Sequence, residues 1–79
     1  MPVCSYLVYP EEGKAASLLN HLNTLPCCEA TKADNEDLII LITETDSKQD
    51  DEFLQNTLKE IPEITGMALT FGQLQTDFN

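Results

Sequence analysis

Two stretches of the chain repeat the same spacing of apolar residues and then stop at a proline. The residues that share this spacing are Leu18, Leu22, Leu25 and Pro26 in the first stretch, and Leu54, Leu58, Ile61 and Pro62 in the second. Side chains three or four positions apart lie on one face of an α-helix, and proline cannot continue a helix. The pattern therefore predicts two amphipathic helices, each with one apolar stripe.

Each predicted helix lies between two segments that have the character of β-strands. Residues 3–9 and 28–33 flank the first helix, and residues 38–43 and 67–74 flank the second. A doubled strand-helix-strand predicts the α+β, ferredoxin-like βαββαβ fold, a four-stranded antiparallel sheet with two helices on one face. We expect one domain over residues 1–79, with residues 75–79 as a frayed tail.

The ends of the helices carry their own signals. Pro10, Glu11 and Glu12 suit the first turn of helix one, because proline is tolerated there and carboxylates favour the positive end of the helix dipole. Asp46 or Ser47 is expected to cap helix two. Paired acids such as Asp50 and Asp51 are interpreted as helix-start charges rather than as catalytic groups.

Alternation along the strands predicts which side chains face away from the helices. Ser5 and Thr43 are polar and are taken to mark the outward sets, whereas Met67, Leu69 and Phe71 are large and are assigned to the core. Leu38, Ile40 and Ile42 are accordingly expected to face the helices. The predicted open face is a shallow apolar strip with small and hydroxyl side chains: Val3, Ser5, Leu7, Ile39, Leu41, Thr43, Ala68, Thr70 and Gly72.

The composition of the chain limits the classes of molecule that it is expected to bind. The chain has 79 residues, fourteen acids against four basic residues, and a formal net charge of −10. Such a charge repels a phosphate backbone, so nucleic acid is not expected as a ligand, and it would steer a cationic partner. Solubility alone is the competing explanation of the charge. A chain this short favours a binding module over an enzyme with a deep cleft.

The residues with reactive side chains do not form a catalytic pattern. An odd number of cysteines, Cys4, Cys27 and Cys28, makes a poor disulfide framework and indicates a reducing compartment, the cytoplasm. Adjacent cysteines in a strand point to opposite faces, so we expect no metal site, and Cys28 is interpreted as a core residue. His21 is expected to be a partly exposed helix residue. No enzyme activity, cofactor or membrane-inserting segment is predicted.

Four segments together resemble the NapD family, the cytoplasmic maturation chaperones of the periplasmic nitrate reductase. They are VCSYLV at residues 3–8, LNTLPCCE at 22–29, LIILI at 38–42 and ITGM at 64–67, within a resemblance that spans residues 3 to about 75. The chain departs from the family pattern at Cys27, where glycine is expected, and at Tyr6, where an aliphatic residue is expected.

The resemblance implies a chaperone that binds the twin-arginine signal peptide of the nitrate reductase catalytic subunit as a helix on the open face. Binding masks the export signal until the molybdenum cofactor is inserted. The candidate peptide-binding residues are Val3, Ser5, Leu7, Glu29, Thr31, Ile39, Leu41, Thr43, Ala68 and Thr70. Glu29, Glu44, Glu36 and Asp37 are the candidate partners of the arginines, and the protein is expected to act as a monomer.

Two other functions remain open from the residues alone. A regulatory domain of the same fold that senses a small molecule would act as a dimer and bind its effector at the dimer interface. Alternatively, the open face only forms a homodimer. A signal peptide is expected to bind a monomer one to one, so stoichiometry separates the alternatives.

Overall fold

The computed structural model describes residues 3–34 and 36–73, with the side chains described as far as residue 70. The elements in chain order are β1 (Val3–Pro10), α1 (Ala15–Thr24), β2 (Cys28–Lys32), β3 (Ile39–Glu44), α2 (Lys48–Lys59) and β4 (Ile64–Gln73). The strands form one antiparallel sheet in the order β2-β3-β1-β4. The predicted ferredoxin-like fold is confirmed. The fraying predicted for residues 75–79 lies outside the described residues.

The first helix begins later than the sequence predicts. Pro10 belongs to β1, where it lies opposite Ile64, and the next amide, that of Glu11, donates to the carbonyl of Glu63 at 2.7 Å. Gly13 then takes a φ of 81°, in the left-handed region that glycine adopts without strain. Because the sheet pairing runs past Pro10 and the chain turns at Gly13, the prediction of a helix start at residues 10–12 is wrong.

The second helix begins at one of the two predicted caps. Ser47 is extended, and its hydroxyl accepts a hydrogen bond from the Asp50 amide at 3.1 Å. Asp51, in the first turn, is buried. Its carboxylate accepts a hydrogen bond from the side-chain Nε2 of Gln55 at 2.8 Å and lies 4.0 Å from the Cys4 thiol. The Asp51 carboxylate at the start of α2 therefore also contacts β1, through Cys4.

The helices bury one face of the sheet. The core joins α1, α2 and inward residues of the strands: Cys4, Tyr6, Val8, Leu18, Leu22, Ala30, Ile39, Leu41, Leu58 and Ile61. Residues opposite each other in neighbouring strands share a face, and the pairs Tyr6 with Leu41 and Val8 with Ile39 place the inward set of β1 against that of β3. Both predicted helix stripes thus supply core residues.

The predicted orientation of β3 is wrong. Ile39 and Leu41 have no exposed surface and Thr43 has 1%, whereas Ile40 and Ile42 are 38% and 44% exposed. The strand continues to Glu44, whose side chain is exposed, and alternation places Ile40 and Ile42 on the same side as that carboxylate. The Thr43 hydroxyl is buried without a hydrogen-bond partner among the described residues, so its polarity did not mark the outward face.

The last strand departs from simple alternation. Tyr6 lies opposite Leu69 but Ser5 lies opposite Phe71, so a bulge at this point places Thr70 outside the regular pairing. Met67 packs against the core as predicted. Leu69 was also assigned to the core, and its 61% exposure corrects that assignment. The predicted faces of Phe71 and Gly72 lie outside the residues whose side chains are described.

Candidate functional site

The sheet surface opposite the helices is the candidate binding surface, and we call it the open face. Pairing defines its members, because Ser5 lies opposite Ile42, and Leu7 lies opposite both Ile40 and Ala68. The edge strand β2 adds residues that lie opposite Ile42 and Ile40. The open face comprises Val3, Ser5, Leu7, Tyr9, Glu29, Thr31, Ile40, Ile42, Glu44 and Ala68.

The middle of the open face is an apolar strip. Ile40 and Ile42 are exposed, and Leu7 and Ala68 beside them are half-buried. Tyr9, 40% exposed, extends the strip toward one end of β1, where its carbonyl accepts a hydrogen bond from the Thr65 hydroxyl at 2.8 Å. An apolar surface of this kind, rimmed by polar groups, is typical of an interaction site.

One end of the strip is acidic. A depression of about 260 Å³ opens there, lined by Cys27, Cys28, Glu29, Ile42 and Glu44. Glu29 lies opposite Ile42 on the neighbouring strand, and Glu44 follows in β3 two positions after Ile42. The Glu44 amide donates to the Cys27 carbonyl at 2.9 Å, which ties the end of β3 to the start of β2. Two carboxylates therefore flank an exposed isoleucine.

The four candidate acids divide into two groups. Glu29 and Glu44 lie at the acidic end, whereas Glu36 and Asp37 lie in the turn between β2 and β3, at the other end of β2. Five residues of β2 separate the two ends, a span of about 13 Å at the rise of a strand. Only the first pair lies in the depression beside Ile42.

The structure brings together most of the predicted peptide-binding residues. Six of them belong to the open face: Val3, Ser5, Leu7, Glu29, Thr31 and Ala68. Thr70 is exposed at the bulge, and its hydroxyl donates to the Ser5 carbonyl at 2.9 Å. Ile39, Leu41 and Thr43 lie in the core on the other side, so they do not belong to this surface.

Three residues of the open face are not among those that the sequence predicts. Tyr9, Ile40 and Ile42 are exposed there. The signal that would have found the two isoleucines is Glu44, because an unpaired carboxylate costs far more to bury than a threonine hydroxyl. Counting alternate residues back from Glu44 places Ile42 and Ile40 outward.

Two of the remaining reactive side chains, Cys28 and His21, are not placed for catalysis on the open face. Burial raises the pKa of the Cys28 thiol to about 11, so the thiol is neutral at ordinary pH. His21 is exposed on α1, with its Nδ1 atom 3.8 Å from a Glu63 carboxylate oxygen. Within residues 3–34 and 36–73, no three His, Cys, Asp or Glu side chains are grouped as a metal site would require.

The helices of the described chain are also too short or too polar to cross a membrane. The architecture and the open face define a small ferredoxin-like domain whose open face carries an apolar strip that is acidic at one end. The chain belongs to the NapD family, since the family model described as NapD protein matches residues 1–76. No curated protein sequence shows significant similarity to this chain.

Solved structures share the fold over nearly the whole chain, as two examples show. The crystal structure of a hypothetical protein from Pyrococcus horikoshii is similar with a TM-score of 0.82 and 24% identity, and the match covers 96% of this chain and 93% of that one. The solution structure of the E. coli Tat proofreading chaperone protein NapD is similar with a TM-score of 0.78 and 18% identity, covering 98% and 82%. Family membership and this likeness support a chaperone role.

Proposed function

We propose that this protein binds the twin-arginine signal peptide of the periplasmic nitrate reductase catalytic subunit. Binding masks the export signal while the molybdenum cofactor is inserted, and the protein itself catalyses no reaction. Membership of the NapD family supports the proposal. The name of the E. coli protein of the same fold, a Tat proofreading chaperone, supports the export context.

The observation that carries the proposal is the apolar strip with carboxylates at one end. A signal peptide has a positively charged region followed by an apolar segment. In the proposed complex the apolar segment lies as a helix on Leu7, Ile40 and Ile42, and the arginine pair meets Glu29 and Glu44. The protein thus has carboxylates beside an apolar strip, as the peptide has arginines beside an apolar segment.

Apolar contact is expected to supply most of the affinity. Burying apolar surface contributes about 25 cal/mol per Å², whereas an exposed ion pair contributes only about 0–1 kcal/mol. The net charge of −10 steers the cationic peptide toward the protein and selects against acidic partners. Glu29 and Glu44 thus set the direction of the peptide more than its strength of binding.

The proposed setting is the cytoplasm, with a monomer that binds one peptide. All three cysteines are free thiols, as is usual in a reducing compartment. A monomer with one open face offers one peptide site. Nucleic acid is not proposed as a partner, because a net charge of −10 repels the phosphate backbone.

Isothermal titration with the synthetic signal peptide tests the proposal. We expect one-to-one binding, weakened about tenfold when the two arginines are replaced by alanine and by a similar factor in the Glu29→Gln, Glu44→Gln double variant. Glu12→Gln, an exposed acid outside the site, is the matched control and should bind normally. Equal affinity for the native and the alanine-substituted peptide would show that the arginine pair is not recognised.

A further inference from the structure

A second groove lies on the helix side of the molecule, between the end of α1 and the first turns of α2. Its volume is about 300 Å³. The residues that line it are Leu25, Pro26, Cys27, Thr45, Asp46, Asp50, Phe53, Leu54 and Thr57. Leu25 and Leu54 pack against the core and form an apolar floor.

Phe53 is the most exposed large apolar side chain that borders this groove. It is 74% exposed, although it lies in the middle of α2. The backbone around it is well supported, since the Thr57 hydroxyl donates to the Phe53 carbonyl at 3.0 Å and Ser47 caps the helix. The aromatic ring therefore contributes little to folding and is available to a partner.

The charged groups of the groove are both acidic. Asp46 precedes α2 and Asp50 lies in its first turn, so two carboxylates border the same apolar floor as the Phe53 ring. An exposed aromatic face with carboxylates nearby suits the long side chain of lysine or arginine. The alkyl stem packs on apolar surface, and the charged head meets the ring and the acids.

Cys27 joins this groove to the open face. It lines both the helix-side groove and the acidic depression that contains Glu29, Ile42 and Glu44. Its φ of 68° is the only positive value among non-glycine residues in the described chain. A side chain held in this costly conformation stands where the two depressions meet.

We infer that the basic residues preceding the arginine pair of the bound signal peptide cross the sheet end at Cys27 and dock against Phe53, Asp46 and Asp50. The inference rests on the proposed function. With the arginine pair at Glu29 and Glu44 and the apolar segment on the open face, the residues upstream of the pair leave the face at Cys27. They carry positive charge, as the start of a signal peptide does, and they meet an acidic, aromatic groove.

The test compares two peptides and four variants by isothermal titration. One peptide is the full signal peptide, and the other begins at the first arginine of the pair and is acetylated so that truncation adds no new charge. Phe53→Ala removes the exposed ring, and Ile42→Ser alters the open face. Leu69→Ala is the matched control, since Leu69 is also exposed on the helix side but does not line the groove.

The wild-type protein should bind the full peptide about tenfold more tightly than the truncated one. Phe53→Ala should lose that advantage and bind the truncated peptide normally. Ile42→Ser should weaken both peptides, and Leu69→Ala should weaken neither. The double variant Asp46→Asn, Asp50→Asn should bind the full peptide with a smaller gain in affinity over the truncated one. Its affinity for the full peptide should also depend less on the salt concentration.

Other outcomes separate the two proposals. If the wild-type protein binds both peptides equally, or if Phe53→Ala weakens both by the same factor, the groove does not hold the upstream residues. The proposed function then stands as long as Ile42→Ser weakens binding. If the wild-type protein binds neither peptide, the proposed function and the inference both fail.

Discussion

Asn23 in α1 makes two hydrogen bonds to the backbone of Ala30 in the edge strand β2. Its Oδ1 atom accepts from the Ala30 amide at 3.0 Å, and its Nδ2 atom donates to the Ala30 carbonyl at 3.1 Å. Unpaired backbone groups on an edge strand are a template for pairing with another chain. The Asn23 side chain occupies the place that a further strand would take at Ala30, so it opposes pairing of another chain with the β2 edge.

Replacing Asn23 by alanine should therefore both destabilise the protein and promote self-association. We expect a loss of about 1–3 kcal/mol, because two partly buried backbone groups lose their partner. Size-exclusion chromatography over a range of concentrations should show a larger fraction of dimer than for the wild-type protein. Asn20→Ala, an exposed asparagine in the same helix, is the control. Equal behaviour of the two variants would show that Asn23 does not protect the edge.

Two neighbouring residues of β3 should respond in opposite ways to the same substitution. Leu41→Asp places a charge in the core opposite Tyr6 and should unfold the domain, whereas Ile42→Asp places one on the exposed open face and should leave the fold intact. Ile42→Asp should nevertheless weaken binding of the signal peptide. Circular dichroism and peptide titration measure the two effects, and a folded Leu41→Asp variant would contradict the observed register.

Leu41 and Ile42 also show how much of the fold can be predicted from the sequence. The strands and helices could be predicted because their apolar periodicity is strong, and the topology followed from the doubled pattern. The face of β3 could not be predicted from Thr43. A threonine is small enough to be buried, and its hydroxyl carries a modest penalty compared with the carboxylate of Glu44. The exposure of Leu69 on the edge strand β4, and the bulge at Thr70, leave no comparable mark in the sequence.

Replacing Cys27 by glycine should stabilise the protein. Cys27 has a φ of 68°, a conformation that costs a residue with a Cβ atom about 1–2 kcal/mol, and glycine avoids most of this cost. The greater freedom of glycine in the unfolded chain offsets part of the gain, so we expect a net increase of about 0.5–1 kcal/mol in the free energy of unfolding. Urea denaturation measures it. Cys27→Ala keeps the Cβ atom and should give no such gain.

The protein should lose stability at alkaline pH. Burial, and to a smaller extent the neighbouring Cys27 thiol, raises the pKa of Cys28 from 9.0 to about 11. Burial, the contact with Cys4 and the charge of Asp51 raise the pKa of Tyr6 above 10.0. The unfolded chain therefore releases these protons first as pH rises, and the free energy of unfolding falls above about pH 9.

Cys28→Ala should flatten that fall between about pH 9 and 11, and Tyr6→Phe should flatten it at higher pH. Urea denaturation at a series of pH values gives the slopes. Cys27→Ala is the matched control, because it removes only the smaller cause of the shift at Cys28. An unchanged slope in Cys28→Ala would show that this thiol is not held neutral by the fold.

The candidate site was harder to predict from the sequence than the fold was. A surface is defined by residues from three or four strands, and an error of one position in one strand moves its whole set to the other side of the sheet. The groove at Phe53 depends on how α1 and α2 pack around Leu25 and Leu54, a relationship that the spacing of apolar residues does not specify.

The measurement that tests the central claim most directly is an NMR titration of the labelled protein with the synthetic signal peptide. We predict saturable shifts concentrated on the open face, at Leu7, Ile40, Ile42 and Ala68, and at Glu29 and Glu44, with one peptide bound per monomer. The same shifts should weaken with a peptide whose arginine pair is replaced by alanine. Unchanged spectra at millimolar peptide, or shifts confined to residues away from the open face, would contradict the account.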